Sequence, residues 1–528
     1  MSLKKLTILC FVALSSLTFA QATITNGPEL ENDRDNKMIS MFEGDENSYF
    51  CYRVRTNGKG TSYIIEKYDK TTLKPLFSKE INLEEEDRSK IEDILYSNGK
   101  IYIFRREYDK KIKKMTLFYQ TVSEAGVVSL ELKEVVNYSS DNYEFVNFDI
   151  VQNPGKTKFL IKASYKVDEK DKYKTDLILM DAVAEKKIWT KVTNIKGTKD
   201  FNGFNGIMLD ENGIVYYSYS YEASNSTETE RRYALSMDII YSASQNIITI
   251  DLPFDNYFLK SDINIYKSNN NQITIGGFLN DPTDYKRLYI VKMGVFCFKV
   301  DLLTKKVISK SVQTFDDKLL TALENNPFNF QYKLDYIIPV RDDYYFVGVQ
   351  HSILRFEETN IENVRTIHRE YKYKYRNILI AKLNAKGKFE WIKNSPLKID
   401  IEDQRFNYLF KQYIVFATAK NLYLLNVDHK NNLEQYGKSD FKAKDLKPVK
   451  VVHGSNFICA TISLEDGNVK ERNVIMKNDD YCFAPIQERR IQFIFSSHNE
   501  IFVPGKNNEI VIYTEDRGRD RFAKIKFE

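Results

Sequence analysis

Residues 269–315 read NNNQITIGGFLNDPTDYKRLYIVKMGVFCFKVDLLTKKVISKSVQTF, and this stretch decides the fold. The polar run Asn269–Asn271 leads into an alternating strand around Ile273 and Ile275, and a loop built on Asp281-Pro282 follows. In the next strand Phe296, Phe298 and Val300 share one face, because successive side chains of a strand point to opposite sides. That strand ends on Asp301, turns through Leu302–Lys306 and returns through Val307. The result is one antiparallel unit of about three or four strands. It carries no chemistry of its own.

The unit recurs. Turn-plus-strand openings stand at Asp45–Phe50, Asn98–Ile103, Gly155–Leu160, Asn212–Tyr216 and Asn271–Ile275, a step of about 57 residues of the kind that stacked or radial repeats produce. Beyond 315 the step stretches, with further openings at Asp342–Phe346 and near His453–Phe457. The far end of each unit has its own signature: a strand closes on Asp or Asn, passes a polar turn and resumes apolar. It reads Asp69 to Leu76, Asp181 to Ile188, Asp301 to Val307, Asn384 to Phe389 and Asp428 to Leu433. Asp and Asn suit such corners because their side chains accept from nearby backbone N–H groups. Within the stretched region, Asp316–Asn325 has an acidic cap and Leu319, Leu320 and Leu323 at helical spacing, which predicts a short helix over 316–325.

Units this small cannot bury a core alone and must share cores with their neighbours. The economical closure is an all-β propeller of roughly seven to eight blades of antiparallel strands, which leaves only short protected edges. The expected division is a signal peptide over 1–20, a polar lead over 21–40 and a propeller domain over 41–528. The leader reads from Lys4 and Lys5, the apolar Leu6–Leu17 and the small-residue site Thr18-Phe19-Ala20. It places the chain outside the cytoplasm: periplasmic, cell-surface-associated or extracellular.

Composition agrees with strands: 13% of residues are aromatic, a class enriched in sheets. The net charge of +5 over 528 residues is small and the lysines alternate with acids, so no concentrated basic stripe for nucleic acid exists. No later stretch is long and apolar enough to span a membrane as a helix. Cys10 lies in the leader, leaving Cys51, Cys297, Cys459 and Cys482. Four cysteines allow three disulfide connectivities. Cys459 with Cys482 is the pair nearest in sequence, and four buried free thiols are the alternative.

The hairpins LILMDAVAEKKIWTK (177–191), VFCFKVDLLTKKVISK (295–310) and ILIAKLNAKGKFEWIK (378–393) resemble the strand-Asp-x-x-Thr-Gly-x-x-x-Trp repeats of quinoprotein-like propellers. Thr is kept at Thr304, Gly at Gly387, and Trp at Trp189 and Trp391. The whole chain is also similar to poorly characterised exported bacterial proteins that share its GGF strand, its Gly-Val-Phe strand and its Lys-Leu-Asn-x-x-Gly-Lys hairpin. The resemblance implies a fold and brings no catalytic residues. With Trp missing from most units, no quinone or other cofactor is expected.

A search for chemistry finds scattered groups. His351, His368, His429, His453 and His498 lack the i, i+4 spacing of a helical zinc pair, and no Gly-x-Ser-x-Gly elbow occurs. Asp141, Glu144, Asp149 and Asp210 are candidate acids, but glycoside hydrolysis needs two facing carboxylates that a linear sequence cannot show. Asp516–Asp520 (DRGRD) lacks the spacing of a calcium loop and reads as a turn. Two aromatic stretches are candidates for binding. In Glu370–Arg376 (EYKYKYR) the strand period puts Tyr371, Tyr373 and Tyr375 on one face and Lys372, Lys374 and Arg376 on the other. In Tyr216–Tyr221 the polar segment Glu222–Arg232 follows.

These observations name no catalytic, cofactor or metal residue. They point to a secreted or periplasmic, non-catalytic binding or scaffold propeller whose loops contact a protein, peptide or glycan of the cell envelope. The alternative is a carbohydrate-active enzyme with a carboxylate site at the mouth of the central channel.

Overall fold

The computed structural model describes residues 22–31, 36–57, 60–81, 89–139, 146–166, 173–193, 205–222, 233–242, 246–254, 258–259, 263–280, 293–323, 331–359, 367–403, 413–436, 438, 441–450, 454–479, 502–516 and 519–528. Eight antiparallel sheets follow one another along the chain, each with strands a to d counted from the inside. Blade 1 holds Asn36–Glu43, Ser48–Asn57, Gly60–Asp69 and Pro75–Ile81, and blade 2 holds Ser89–Ser97, Lys100–Asp109, Lys114–Ser123 and Lys133–Ser139. Blade 3 is Val146–Gln152, Lys158–Lys166, Tyr173–Asp181 and Lys186–Thr193; blade 4 is Asn205–Leu209, Val215–Glu222, Tyr233–Ile240 and Ile247–Leu252. Blade 5 splits its inner strand into Phe258–Leu259 and Asn264–Lys267, then runs Gln272–Asn280, Met293–Asp301 and Lys306–Thr314. Blade 6 is Gln331–Val340, Asp343–Thr359, Ile367–Leu383 and Phe389–Ser395, with Ile399–Asp403 added. Blade 7 is Tyr413–Ala417, Asn421–His429, Ser455–Ser463 and Val469–Lys477. Blade 8 takes Phe502–Pro504, Glu509–Asp516 and Arg519–Phe527 from the end of the chain and its outer strand, Ala22–Glu31, from the beginning. The 21–40 segment set apart above as a lead thus supplies the outer strand of the last blade and part of the inner strand of the first.

The inner strands close the ring. Asn36–Glu43 touches both Ser89–Ser97 and Phe502–Pro504, and Val146–Gln152 touches both Ser89–Ser97 and Asn205–Leu209. The architecture is an eight-bladed β-propeller. Apart from one short α-helix and one 3-10 turn (Ala443–Asp445), the described residues are strands and turns. The helix, α1, is Asp317–Ala322: the Asp316 carboxylate accepts the Leu319 N–H at 2.7 Å, and Leu319 and Leu320 are buried. Among the described residues no helix is long and apolar enough to cross a membrane.

Burial follows position within a blade. Strand c of blade 5 is buried from Met293 to Val300, whereas strand d, Lys306–Thr314, alternates between exposed and partly buried residues. Along strand c, Phe296, Phe298 and Val300 join Ile273 and Ile275 in the core shared with blade 4, while Val295 and Cys297 join the core shared with blade 6. The alternation in the sequence therefore separates two inter-blade cores. Blades 5 and 6 interlock through glycine. A Cβ on Gly276 would lie 2.1 Å from the Phe346 ring, and one on Gly348 would lie 2.5 Å from the Phe278 ring. Each blade lends a ring to the other's bare backbone.

The openings from Asp45 to Asp342 are a–b turns, and Asp69, Asp181, Asp301 and Asn384 start c–d turns. In blade 7 the two expected landmarks are displaced. The opening expected near His453–Phe457 falls at the entry to strand c, which starts at Ser455, and Asp428 lies at the end of strand b. The true a–b turn there is Thr418–Lys420, held by Thr418 N–H on Asn421 O at 2.9 Å. The true c–d turn follows Ser463 and contains Gly467 at φ 71°.

Candidate functional site

A meander of four strands puts its a–b and c–d turns on one face of the ring and its b–c and d–a connections on the other. The first face is made mostly of tight turns, such as Asn98-Gly99 between strands ending at Ser97 and starting at Lys100, with the longer c–d connection of blade 2, Glu124–Leu132, among them. The second carries the long connections: Glu222 to Tyr233, Asn280 to Met293, His429 to Ser455 and Lys477 to Phe502.

Among the described residues, blade 6 raises this second face with long strands. Its strands b and c are each 17 residues long, roughly 56 Å at 3.3 Å per residue. The inner strand Gln331–Val340 pairs with strand b only as far as His351, so the hairpin of 352–359 with 367–374 continues past the sheet. Ile399–Asp403 lies along it, pairing with Tyr371–Tyr375. At its base a bulge sets Gln350 against both Arg376 and Asn377. Asn377 Nδ2 donates to Gln350 Oε1 at 2.9 Å, and Asn394 Nδ2 to Asn377 Oδ1 at 3.1 Å.

The bulge breaks the expected cationic face of EYKYKYR. Arg376 turns inward, 5% exposed, pairs with Asp400 at 2.7 Å and donates to the Ile399 carbonyl at 3.1 Å. Tyr373 and Tyr375 are buried in the core shared with blade 7, and the Tyr371 side chain lies outside the described residues. Lys372 and Lys374 remain partly exposed.

The other candidates are dispersed. Tyr216, Tyr217 and Tyr219 are buried between blades, with the Tyr216 hydroxyl on Asp210 at 3.3 Å. Asp210 also holds Lys267 of the next blade at 2.5 Å and accepts the N–H groups of Asn212 and Ile214. Asp149 pairs with Lys162 at 2.7 Å. Asp520 binds Arg53 at 2.6 Å. His429 lies at the end of blade 7 strand b. The side chain of His368, and residues His453, His498, Asp141, Glu144, Cys482 and most of Glu222–Arg232, lie outside the described residues. Cys51, Cys297 and Cys459 are buried free thiols; burial pushes Cys297 and Cys459 up to about 12. Among the described residues no three His, Cys, Asp or Glu gather as metal ligands.

Two acids that the sequence reading passed over project from the inner strands of blades 2 and 6. Glu92 and Asp335 each occupy a bulge, where one strand carries a residue its partner does not match. Bulges re-aim side chains and are common beside functional sites. Glu92 is 5% exposed, 2.8 Å from Arg106 Nε and 3.9 Å from Lys90 Nζ. Burial holds its carboxyl above the usual range against the pull of Arg106 and Lys90, and burial brings Lys90 down to about 7. Arg106 also donates to the Val146 carbonyl of blade 3 at 2.9 Å. Asp335 accepts the Tyr413 hydroxyl of blade 7 at 2.7 Å and lies 3.2 Å from Lys333. Beside it His351 is 4% exposed, with no hydrogen-bond partner for Nδ1 among the described residues. Burial, then Lys333, lowers its pKa to about 4. Their signal in the sequence was an acid inside an apolar run, Ile91-Glu92-Asp93-Ile94 and Leu334-Asp335-Tyr336.

No protein-family model matches the sequence, and no curated protein matches it. Comparison with solved structures finds likenesses at low identity. The WD40 domain of SCAP from fission yeast is 6% identical, with TM-score 0.38 over 97% of this chain and 96% of that one. The β-propeller domain of the Trilobed protease from Pyrococcus furiosus is 8% identical, with TM-score 0.36 over 84% and 97%. The polysaccharide lyase Uly1 is 10% identical, with TM-score 0.39 over 78% and 94%.

Proposed function

We propose that the chain is an exported binding platform that holds a protein partner of the cell envelope on its long-connection face. The observation that carries this reading is the asymmetry of the ring. One face is closed mostly by tight turns, with Glu124–Leu132 of blade 2 its longer connection, and the other collects the long connections of blades 4 to 7 and the raised hairpin of blade 6. Loops on a rigid scaffold are where recognition concentrates. The Gln350–Asn377–Asn394 bonds and the Arg376–Asp400 pair brace the hairpin at its base, which cuts the ordering cost of binding.

The test is a photo-crosslinking residue introduced in the producing cell at Lys111 or Asn431, on the long-connection face, and at Asn98 or Lys386, on the opposite one. The reading expects one protein partner, crosslinked from the first pair and not from the second. Equal crosslinking from both faces overturns it. A second reading, turnover of an acidic or neutral polysaccharide, is favoured by Glu92, a buried carboxyl whose raised pKa suits a proton donor. Polysaccharide cleavage that disappears in Glu92→Gln while the variant stays folded would decide for the enzyme.

A further inference from the structure

The outer strands of blades 5 and 6, Lys306–Thr314 and Phe389–Ser395, converge at one end and diverge at the other. At the tight-turn end Ser309 Oγ donates to Gly387 O at 3.4 Å, and Lys299 Nζ to Ala385 O at 2.9 Å. At the opposite end the chain leaves strand d through Phe315 and enters α1, which packs against Phe389–Ser395. The inserted helix wedges the blades open. What remains is a cleft of about 300 Å³ with an apolar floor of Phe315, Leu319, Phe389 and Ile392.

Each wall is a strand paired on one side only, Lys306–Thr314 with Met293–Asp301 and Phe389–Ser395 with Ile367–Leu383. Phe315 N–H donates back to Met293 O at 2.7 Å. By the alternation of an antiparallel ladder, the N–H groups of Val312 and Thr314 then point away from blade 5. The walls are also positively charged. Lys306, Lys310 and Lys393 on the wall strands and Lys388 just ahead of the second are all exposed; of the two acids that line the cleft, Glu390 is paired with Lys382 at 2.8 Å and Asp316 caps α1, accepting the Leu319 N–H at 2.7 Å.

We propose that this cleft binds an acidic, extended segment of a partner protein, added as a strand to the Lys306–Thr314 edge with one apolar side chain on the floor. Strand addition draws affinity from main-chain hydrogen bonds and specificity from a pocket for alternate side chains. Edge lysines normally keep sheets apart. Here the same lysines repel a second copy of this edge and attract an acidic strand, so charge selects the occupant. The site lies on the perimeter, where strand d of blade 5 passes into its d–a connection, and its test reads exchange over 306–315, so it stands or falls independently of the crosslinks that test the reading above.

The experiment uses the full chain and a fluorescein-labelled pool of decapeptides that alternate Glu or Asp with Val or Thr around one central Phe. Anisotropy reports binding, and hydrogen exchange over 306–315 reports where it occurs. The acidic pool slows exchange at Val312 and Thr314, and a pool with Lys in place of the acids does not. Replacing the central Phe by Ser weakens binding at least about tenfold, as does Lys310→Glu/Lys388→Glu/Lys393→Glu, which changes only exposed side chains. The proposal is overturned if the acidic pool leaves 306–315 unprotected at about 1 mM peptide, or if its binding survives the charge reversal.

Discussion

At the scale of single residues, the c–d corners show what the hairpin repeat encodes. Asp69 Oδ1 accepts the N–H groups of Thr71 and Thr72 and the Thr72 hydroxyl at 3.0, 2.6 and 2.8 Å, and Asp301 Oδ1 accepts the Thr304 N–H and hydroxyl at 2.6 and 2.7 Å. These bonds hold both carboxyls below their usual range. The fourth position after the Asp, Gly in the pattern this chain resembles, is left-handed: Leu73, Glu185 and Lys305 adopt φ 58°, 50° and 57° without being glycine, and in blade 6 Gly387, three residues past Asn384, has φ 77°. An L side chain there costs about 1–2 kcal/mol, offset in part by the entropy glycine loses on folding. Lys305, exposed at the corner, is the clean test. Lys305→Gly is expected to stabilise the chain by up to about 1 kcal/mol, read from the urea midpoint. His351 makes the second prediction. Its folded pKa of about 4 lies below the ordinary value of 6.5, so the unfolded chain binds the extra proton first. Stability is therefore undiminished above about pH 6.5 and falls as the pH drops towards 4, by about 3 kcal/mol in all. Urea titrations at pH 7 and pH 4.5 should show that loss in the wild type and a smaller one in His351→Phe.

At the scale of elements, the sequence was most legible where a unit is closed by its own turns. The a–b openings mark blades 1 to 6, and the Asp- or Asn-led c–d corners mark blades 1, 3, 5 and 6, because each depends on local backbone chemistry: Asn98-Gly99 supplies two positive φ values, and Asp69 or Asp301 caps its own turn. Blade 7 was misread for the same reason. Its a–b turn, Thr418–Lys420, uses a Thr cap and no glycine, while Gly454 and Asp428 flank a long b–c connection and imitate the landmarks. Contacts between distant segments left no local mark. Arg53, 2% exposed, bonds Glu66 at 2.6 Å in its own blade and Asp520 at 2.6 Å in blade 8, under the Tyr513 ring. Tyr68 and Tyr513 donate to the same two acids. Removing one partner from a buried ion network strands the others, so Arg53→Met is expected to cost about 3–5 kcal/mol in chemical denaturation. Neutralising the acids as well, with Glu66→Gln and Asp520→Asn, should recover much of that loss. If the triple variant is no more stable than Arg53→Met, the network holds the seam by packing and not by charge. The inner-strand acids Glu92 and Asp335 were hidden similarly: each sits in an apolar run, and only the bulge and a partner from the next blade give it a setting.

At the scale of the whole molecule, the decisive contact joins the two ends of the described chain. Ala22–Glu31 pairs antiparallel with Arg519–Phe527 from Ala22 opposite Phe527 to Glu31 opposite Arg519, through one irregularity between Asn26 and Glu29. Glu29 adds ion pairs to Arg519 and Arg521 at 3.2 and 3.4 Å. These are exposed and worth little singly, so the backbone ladder does most of the holding. No sheet here is self-sufficient, since every core is shared between neighbouring blades. Opening the seam should therefore loosen more than one blade. A chain lacking residues 22–31 would leave the Arg519–Phe527 edge without its cover, and an uncovered, regular edge is a template for another chain. Such a deletion is expected to keep most of its strand signal in circular dichroism, to lose the single cooperative unfolding step, and to self-associate in sedimentation velocity as concentration rises. Adding the synthetic strand 21–31 in excess should reverse that self-association, because it offers the same ladder without the covalent link. A deletion chain that self-associates no more than the intact chain and unfolds in one step as sharply would mean that the inner-strand contacts around the channel, and not the shared last blade, keep the ring closed.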